Sequence, residues 1–443
     1  MCGLVATFAQ KLLKAMLDSL HEKFLESTGV STDTRTLQPG DLFFALSGPN
    51  FNANKFAQQA LEKGASYAVV DEEAYANHEQ CVLVDDALKA LQDLALHHRR
   101  TFEIPFIGIT GSNGKTTCKE LTAAVLRCKY RVHATDGNLN NHIGVPLTLL
   151  SIPSDTQIAI IEMGANKVGD IAELCAIAEP THGFITNIGK AHLEGFGGIE
   201  GVIRGKSELY HWLIQHGGEV FIRRTDHILS NMAKRFSPEK VHWFSEPGDF
   251  LEATLLEADP FVHFRGESGQ EHSTHLAGSH HFGNLAVALA VGKFFKVPAL
   301  QAEEAVADYV PENNRSQLLY RGDTTIMLDA YNANPSSMAA ALANLQVMEA
   351  DRKVVILGDM LELGEEAEAE HIGLAQLIRA VGTKEVLLVG PLMKHLAEEM
   401  PEARLFADRE ALATWLKENP LGNATVLIKA SRSIGLEKLI DAF

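Results

Sequence analysis

The chain has 443 residues, 46% of them apolar, and sets 39 Lys plus Arg against 57 Asp plus Glu for a net charge of -18. That length exceeds what one hydrophobic core organises and predicts two or three domains, while the acidic balance repels polyanions and argues against nucleic acid or an acidic membrane as partner. No apolar run approaches the roughly eighteen residues of a membrane span, and the five scattered cysteines (Cys2, Cys81, Cys118, Cys128, Cys175) form no CxxC pair, so a cytoplasmic protein without disulfide framework or zinc site is expected.

In chain order, Met1 to Lys14 is apolar but lacks the basic opening and the cleavage site of a signal peptide, and Met16 is an alternative start. A turn at Gln38-Pro-Gly-Asp41, an apolar run Leu42 to Leu46, a helical stretch Lys55 to Lys63 and strand-like Ser66 to Asp71 predict a small α/β unit. Composition shifts after His97-His-Arg-Arg100, which puts a first boundary near 102. Strand-like Phe106 to Thr110, Ile158 to Met163 and Gly183 to Ile188 then alternate with helical patterns at Glu120 to Leu126 and Asp170 to Ala178, as parallel βαβ units require. A second break falls near Pro311-Glu-Asn-Asn314. Beyond it, Thr324 to Leu328, Val354 to Leu357, Glu385 to Val389 and Thr425 to Lys429 alternate with helices at Ser336 to Met348 and from about Glu368. The expected fold is therefore α/β in three domains: a small α/β domain (1–101), a central parallel-sheet domain (102–311) with a P-loop-type strand–turn–helix at 106–126, and a Rossmann-like C-terminal domain (312–443). The acid-rich stretch Glu362 to Glu370 reads as a solvated helix face.

The most informative stretch is Gly108-Ile-Thr-Gly-Ser-Asn-Gly-Lys-Thr-Thr117, between a strand and a helix. Its tight core Gly111-Ser112-Asn113-Gly114 lets backbone N–H groups turn toward phosphate oxygens, Lys115 can neutralise the β/γ-phosphates, and Thr116, followed by Thr117, offers a hydroxyl to magnesium. Ile109 stands where the strict Walker pattern has its first glycine. A phosphate loop alone does not separate enzymes from switches, transporters or motors. Glu162, closing an apolar strand, suits a magnesium ligand or, equally, a surface strand end; His192 suits a ligand or a structural role.

Taken together, the loop, Asn138-Leu-Asn-Asn-His-Ile-Gly-Val-Pro146, Glu162-Met-Gly-Ala-Asn166 and Ala191-His-Leu-Glu-Gly-Phe-Gly197 resemble the Mur ligases of peptidoglycan synthesis in both order and spacing. The likeness runs from Asp33-Thr-Arg35 to Lys429-Ala-Ser-Arg432 and is to the branch that adds D-alanyl-D-alanine. This resemblance implies ATP and two magnesium ions as cofactors. Lys115 and Thr116 with Glu162 would hold phosphate and the first ion, Asn138 and Asn141 would face the phosphates, and His192 would face the second ion. Lys206 would sit between the ions as a carbamate. Adenine would lie near His280 and Asn284, and Arg315, Asp329 and Asn332 would reach ribose and phosphates. Taken by themselves, His280 and Asn284 serve equally as helix caps, Arg315 as a linker ion pair and Asp329 as a turn residue.

On the same resemblance, Lys429, Ser431 and Arg432 would lie near the carboxylate of the incoming dipeptide, beside the loop Gly358-Asp-Met-Leu-Glu-Leu-Gly364. Ala430 stands where glycine is commoner, which leaves close backbone approach there in question. Thr34 and Arg35 would grip the uridine nucleotide, and Arg35 serves equally to stabilise the fold. The implied reaction joins D-alanyl-D-alanine to a UDP-N-acetylmuramoyl-tripeptide through an acyl phosphate, by a monomer without nucleic-acid or membrane partner. The third residue of the tripeptide, meso-diaminopimelate or lysine, has no readable motif. Rival readings are a ligase adding a diamino acid, one adding glutamate to folate, and a nucleotide switch. The Asp-Asn-Pro-Arg motif of the first is absent, and Asn113-Gly-Lys-Thr-Thr117 lacks the Gly-Lys-Gly form of the second.

Overall fold

A computed structural model describes residues 2–311, 315–383 and 385–443. The expected break at 311–314 therefore falls largely outside the described residues. Compactness divides the chain into two units, the first comprising 1–108, 131–164 and 170–182 and the second 109–130, 165–169 and 183–443. Among the described residues no helix is long and apolar enough to cross a membrane.

In the first unit a parallel sheet runs in the order Val30–Ser31, Leu42–Phe44, Tyr67–Val70, Cys81–Leu83. Its central strands are buried along almost their whole length, which is why they read as unbroken apolar runs. The helix Ala87–Arg99 starts where the Asp86 carboxylate accepts the Lys89 N–H at 2.9 Å. Its far end is fixed by Arg99, whose guanidinium donates to the carbonyls of Ala178 (2.8 Å) and Glu179 (2.7 Å). The opening segment continues as one helix, Cys2–Glu26, seated through buried Leu20 and Phe24.

A six-stranded sheet has the order Val241–Phe244, Glu219–Arg223, His182–Ile185, Phe106–Thr110, Ile158–Glu162, Val132–Ala134. Phe106–Thr110 and Ile158–Glu162 are buried at every residue. In the second unit the helix His281–Phe294 is apolar nearly all round, as a helix enclosed on several sides must be. Residues 254–277 form a three-stranded antiparallel sheet that the alternation of parallel units did not anticipate. The C-terminal sheet has the order Gln317–Arg321, Thr324–Leu328, Thr425–Lys429, Lys353–Gly358, Glu385–Val389, Arg404–Phe406, and only its first pair is antiparallel. Ile326, Val354, Ile356, Val426 and Ile428 lie at the centre of its core. Parallel strands put their carboxyl ends on one edge, and Asp329 and Lys429 stand at two of those ends.

Candidate active site

The phosphate loop is a preformed cradle. Gly111 holds φ +146°, and a Cβ there would come within 2.0 Å of the Thr186 hydroxyl oxygen; Gly114 holds φ +77° with Asn284 against it. A side chain is excluded at Gly111 and strained at Gly114. The turn between them is tied down on several sides. Ser112 N–H donates to the Asn187 carbonyl (3.0 Å), Asn113 N–H to the Asn187 side-chain oxygen (3.1 Å), and the Thr186 hydroxyl to the Asn113 carbonyl (2.6 Å). Thr116 and Thr117 are buried at the start of the helix Lys115–Arg127. The Lys115 ammonium folds back on the Gly111 carbonyl at 2.7 Å. Thr186 and Asn187, at the end of strand-like Gly183 to Ile188, thus shape the loop.

One contact links this loop to the C-terminal segment. Asn334 caps the helix Pro335–Val347 through a capping box with Ser337, and its side-chain amide donates to the Asn113 side-chain oxygen at 2.8 Å. Asn334 lies two residues past Asn332.

Around the expected nucleotide residues the structure gathers a polar cluster. Asn284 is buried and accepts the Cys118 thiol at 3.3 Å, and its amide meets the His281 Nδ1 at 3.1 Å. Burial holds the His281 imidazole neutral, well below the ordinary histidine range. His280 is exposed, its ring centroid 4.1 Å from that of His281.

Asp329 and Lys429, expected at ribose and at a dipeptide carboxylate, meet each other in the structure. The Lys429 ammonium donates to Asp329 Oδ2 (2.6 Å) and to the Asn332 carbonyl (3.0 Å), and the lysine is 1% exposed. Asp329 Oδ1 also accepts the Ser316 N–H at 3.2 Å. Tyr331 lies between two cations: the Arg315 guanidinium stacks 3.6 Å from its ring centroid, and that of Arg432 lies 5.1 Å away. The Arg315 Nε is buried without a partner among the described residues. Ser431 is buried, its hydroxyl accepting the Leu361 N–H at 3.0 Å. Ala430 is accommodated by its neighbour: a Cβ on Gly358 would lie 2.7 Å from the Ala430 methyl, so the missing side chain is at 358.

His192 and Lys206 stand on neighbouring elements of the second unit. His192 has φ +54° at the start of the turn Leu193–Phe196, and its Nδ1 pairs with the Glu362 carboxylate. That partner holds the Glu362 carboxyl below the usual carboxylate range against the opposing effect of burial. Lys206 is 1% exposed on the helix Ile199–Gln215, donates to the Ala165 carbonyl at 3.2 Å and lies 5.2 Å from the Phe196 ring centroid.

In the first unit Glu162 is 2% exposed; one carboxylate oxygen accepts the Asn140 amide at 2.8 Å, and the other is buried without a donor among the described residues. An anionic oxygen left bare in this way fits a cation. Asn140 is a residue the sequence reading passed over between Asn138, which is exposed, and Asn141, whose side chain accepts the Gly144 N–H at 2.9 Å at a helix start. Among the described residues no three His, Cys, Asp or Glu side chains form a metal cage by themselves. Magnesium commonly takes one or two protein oxygens and fills its octahedron with phosphate oxygens and water, so a single carboxylate such as Glu162 can serve as a protein ligand. Arg35 lies across Asp33 with its guanidinium 2.6 Å from the carboxylate, which it pulls down to about 2. Thr34 is held from outside by Lys63, whose ammonium donates to its carbonyl at 2.6 Å.

Three family models match: "Mur ligase family, catalytic domain" over 26–99, "Mur ligase middle domain" over 109–292 and "Mur ligase, glutamate ligase domain" over 314–432. The chain is 34% identical over 425 residues to the UDP-N-acetylmuramoyl-tripeptide--D-alanyl-D-alanine ligase of Bacillus subtilis, covering 93% of this chain and 92% of the relative. Its fold matches crystal structures of MurF from Acinetobacter baumannii (TM-score 0.84, 28% identity, 93% and 92% covered) and of MurF ligase from Thermotoga maritima in complex with ADP (TM-score 0.82, 26% identity, 95% and 97% covered). Fold and site define an ATP-dependent, ADP-forming ligase of three α/β domains. The rival reading as a nucleotide switch falls with that. The chain belongs to the Mur ligase family.

Proposed function

We propose that the chain joins D-alanyl-D-alanine to a UDP-N-acetylmuramoyl-tripeptide in the cytoplasm, as a monomer, with residues 1–101 holding the uridine nucleotide, 102–311 ATP and 312–443 the dipeptide. The activity named for the Bacillus subtilis relative supports this choice of substrates. The observation that carries the catalytic reading is the phosphate loop whose Asn113 is held by Asn334, a residue of the segment proposed to bring the amine.

In this reading the terminal carboxylate of the tripeptide attacks the γ-phosphorus of ATP, ADP leaves, and an acyl phosphate forms. The dipeptide amine then attacks the acyl carbon, and the tetrahedral intermediate expels phosphate. Transfer of a phosphoryl group asks mainly for positioning and for charge placed where charge develops. Lys115 swings from its resting contact on Gly111 to the β/γ-phosphates, and backbone N–H groups of 111–117 cradle them. Magnesium, when bound, would supply positive charge against the negative charge that builds on the transferring group. Thr116, Glu162 and His192 are the residues that would hold it, and the bare Glu162 oxygen is the feature that favours Glu162. Lys206 would join them as a carbamate, because an ammonium buried beside two cations would repel them. Asn138 and Asn141 face the phosphates, and His280 and Asn284 take the adenine. Arg315, stacked on Tyr331, keeps its free Nε for the nucleotide; Asp329 reaches ribose while Lys429 fixes its orientation, with Asn332 beside them. Arg432 and Ser431 face the dipeptide carboxylate, and Thr34 and Arg35 the uridine diphosphate.

Phosphate release tests the proposal. It should require the UDP-tripeptide and D-alanyl-D-alanine together, and a competition between tripeptides ending in meso-diaminopimelate and lysine identifies the natural one. Release indifferent to either substrate would contradict the proposal.

A further inference from the structure

The sequence reads Glu362 to Glu370 as a solvated acidic face, and within it two carboxylates are also paired. Glu362 pairs with His192 and Glu370 with Lys190. The loop that carries Glu362 is braced from behind at successive residues. Asp359 accepts the N–H groups of Leu392 (3.1 Å) and Met393 (3.0 Å), Met360 N–H donates to His371 Nε2 (3.1 Å), and Leu361 N–H to Ser431 Oγ (3.0 Å). The loop approaches the His192 turn closely enough that Glu194 N–H donates to the Glu362 carbonyl at 3.2 Å, and a Cβ on Gly364 would stand 3.2 Å from that of Glu194.

Both partners of the contact hold left-handed backbone, His192 at φ +54° and Glu362 at φ +63°. A non-glycine residue keeps that conformation only when its surroundings impose it, and two such residues meeting through their side chains mark a contact worth its strain. An ordinary surface ion pair does not need it.

The chemistry of the contact is directional. A carboxylate that accepts from Nδ1 fixes the imidazole tautomer, leaves the Nε2 lone pair outward and raises its basicity, as carboxylates behind metal-binding histidines do. We infer that Glu362 is a positioning residue for His192: it aims Nε2 at the cation proposed above and does so only when the braced 358–364 loop is docked on the 191–197 turn. The inference rests on the proposed role of His192. It makes a residue of the C-terminal segment part of the metal-side machinery, so docking and readiness to hold the second ion become one event.

The test is Mn2+ binding, followed by electron paramagnetic resonance, to full-length protein with a non-hydrolysable ATP analogue. Wild type should take two ions. Glu362→Gln, and as a second variant Glu362→Ala, should weaken the second by about tenfold with the circular dichroism spectrum unchanged. Glu370→Gln, which breaks the neighbouring contact with Lys190, should leave both ions in place. Wild-type affinity in both Glu362 variants, or equal weakening in Glu370→Gln, would overturn the inference, the latter by making docking alone responsible. His192→Ala separates the two claims: loss of the second ion there, with none in the Glu362 variants, leaves the role of His192 standing and removes only that of Glu362, whereas two ions retained in His192→Ala would remove both.

Discussion

Replacing Lys429 with Met probes the link between stability and the site. Its ammonium is buried, with 2% of the side chain exposed, and meets Asp329 Oδ2 at 2.6 Å and the Asn332 carbonyl at 3.0 Å. Methionine keeps much of the volume and leaves the Asp329 carboxylate with the Ser316 N–H as its fixed donor in the structure. Breaking a buried pair from one side costs about 3–5 kcal/mol, and because 19% of the Asp329 side chain reaches solvent the lower end applies, about 3 kcal/mol. Urea unfolding followed by Trp415, with Trp212 and Trp243 replaced by Phe, reports on the C-terminal sheet. At a slope of about 2 kcal/mol/M the midpoint should fall by about 1.5 M. Adding Asp329→Leu should recover most of that loss, since an apolar pair has no stranded charge. A midpoint within about 0.3 M of the parent would refute the reasoning and return Lys429 to a purely substrate-facing role.

Three further outcomes follow from particular contacts. Gly358→Ala should destabilise by about 1–3 kcal/mol through overpacking against Ala430, and Ala430→Gly in the same chain should restore the urea midpoint. Burial, with His21 and His97 adding to it, lowers His98 to about 4, whereas the unfolded chain binds that proton near 6.5. Stability should therefore fall as pH drops from 6.5 to 4 and gain no further loss from this group below that; thermal midpoints of His98→Gln should decline less over the window than those of wild type. Lys206→Ala should abolish turnover, and short carboxylic acids should restore part of it by standing in for the carbamate; an active variant would remove Lys206 from the site.

What the sequence made legible follows from where the forces are local. Thr324 to Leu328, Glu385 to Val389 and Asp170 to Ala178 fall where their patterns placed them, because buried parallel strands and amphipathic helices write their burial into consecutive residues. The phosphate loop is legible for the same reason: its glycines, lysine and threonines act within one turn. Residues 254–277 were not, since their strands are half-exposed and their alternation is broken by register shifts. The side-chain partners of the site were the least readable. Glu362 meets His192 across 170 positions and Asn334 meets Asn113 across 221, and nothing in either local stretch names the other. Asn140 was hidden by its neighbours, since three asparagines in Asn138-Leu-Asn-Asn141 look alike until one of them is found on Glu162. At Lys429 the charge is readable in the sequence, while its burial against Asp329 is not.

The proposed reaction turns on activation of the tripeptide carboxylate as an acyl phosphate. Supplying tripeptide with heavy oxygen in its terminal carboxylate, together with ATP, magnesium and D-alanyl-D-alanine, measures this directly. One labelled oxygen should leave with each phosphate and the other remain in the new amide; phosphate released without label while product forms would contradict it.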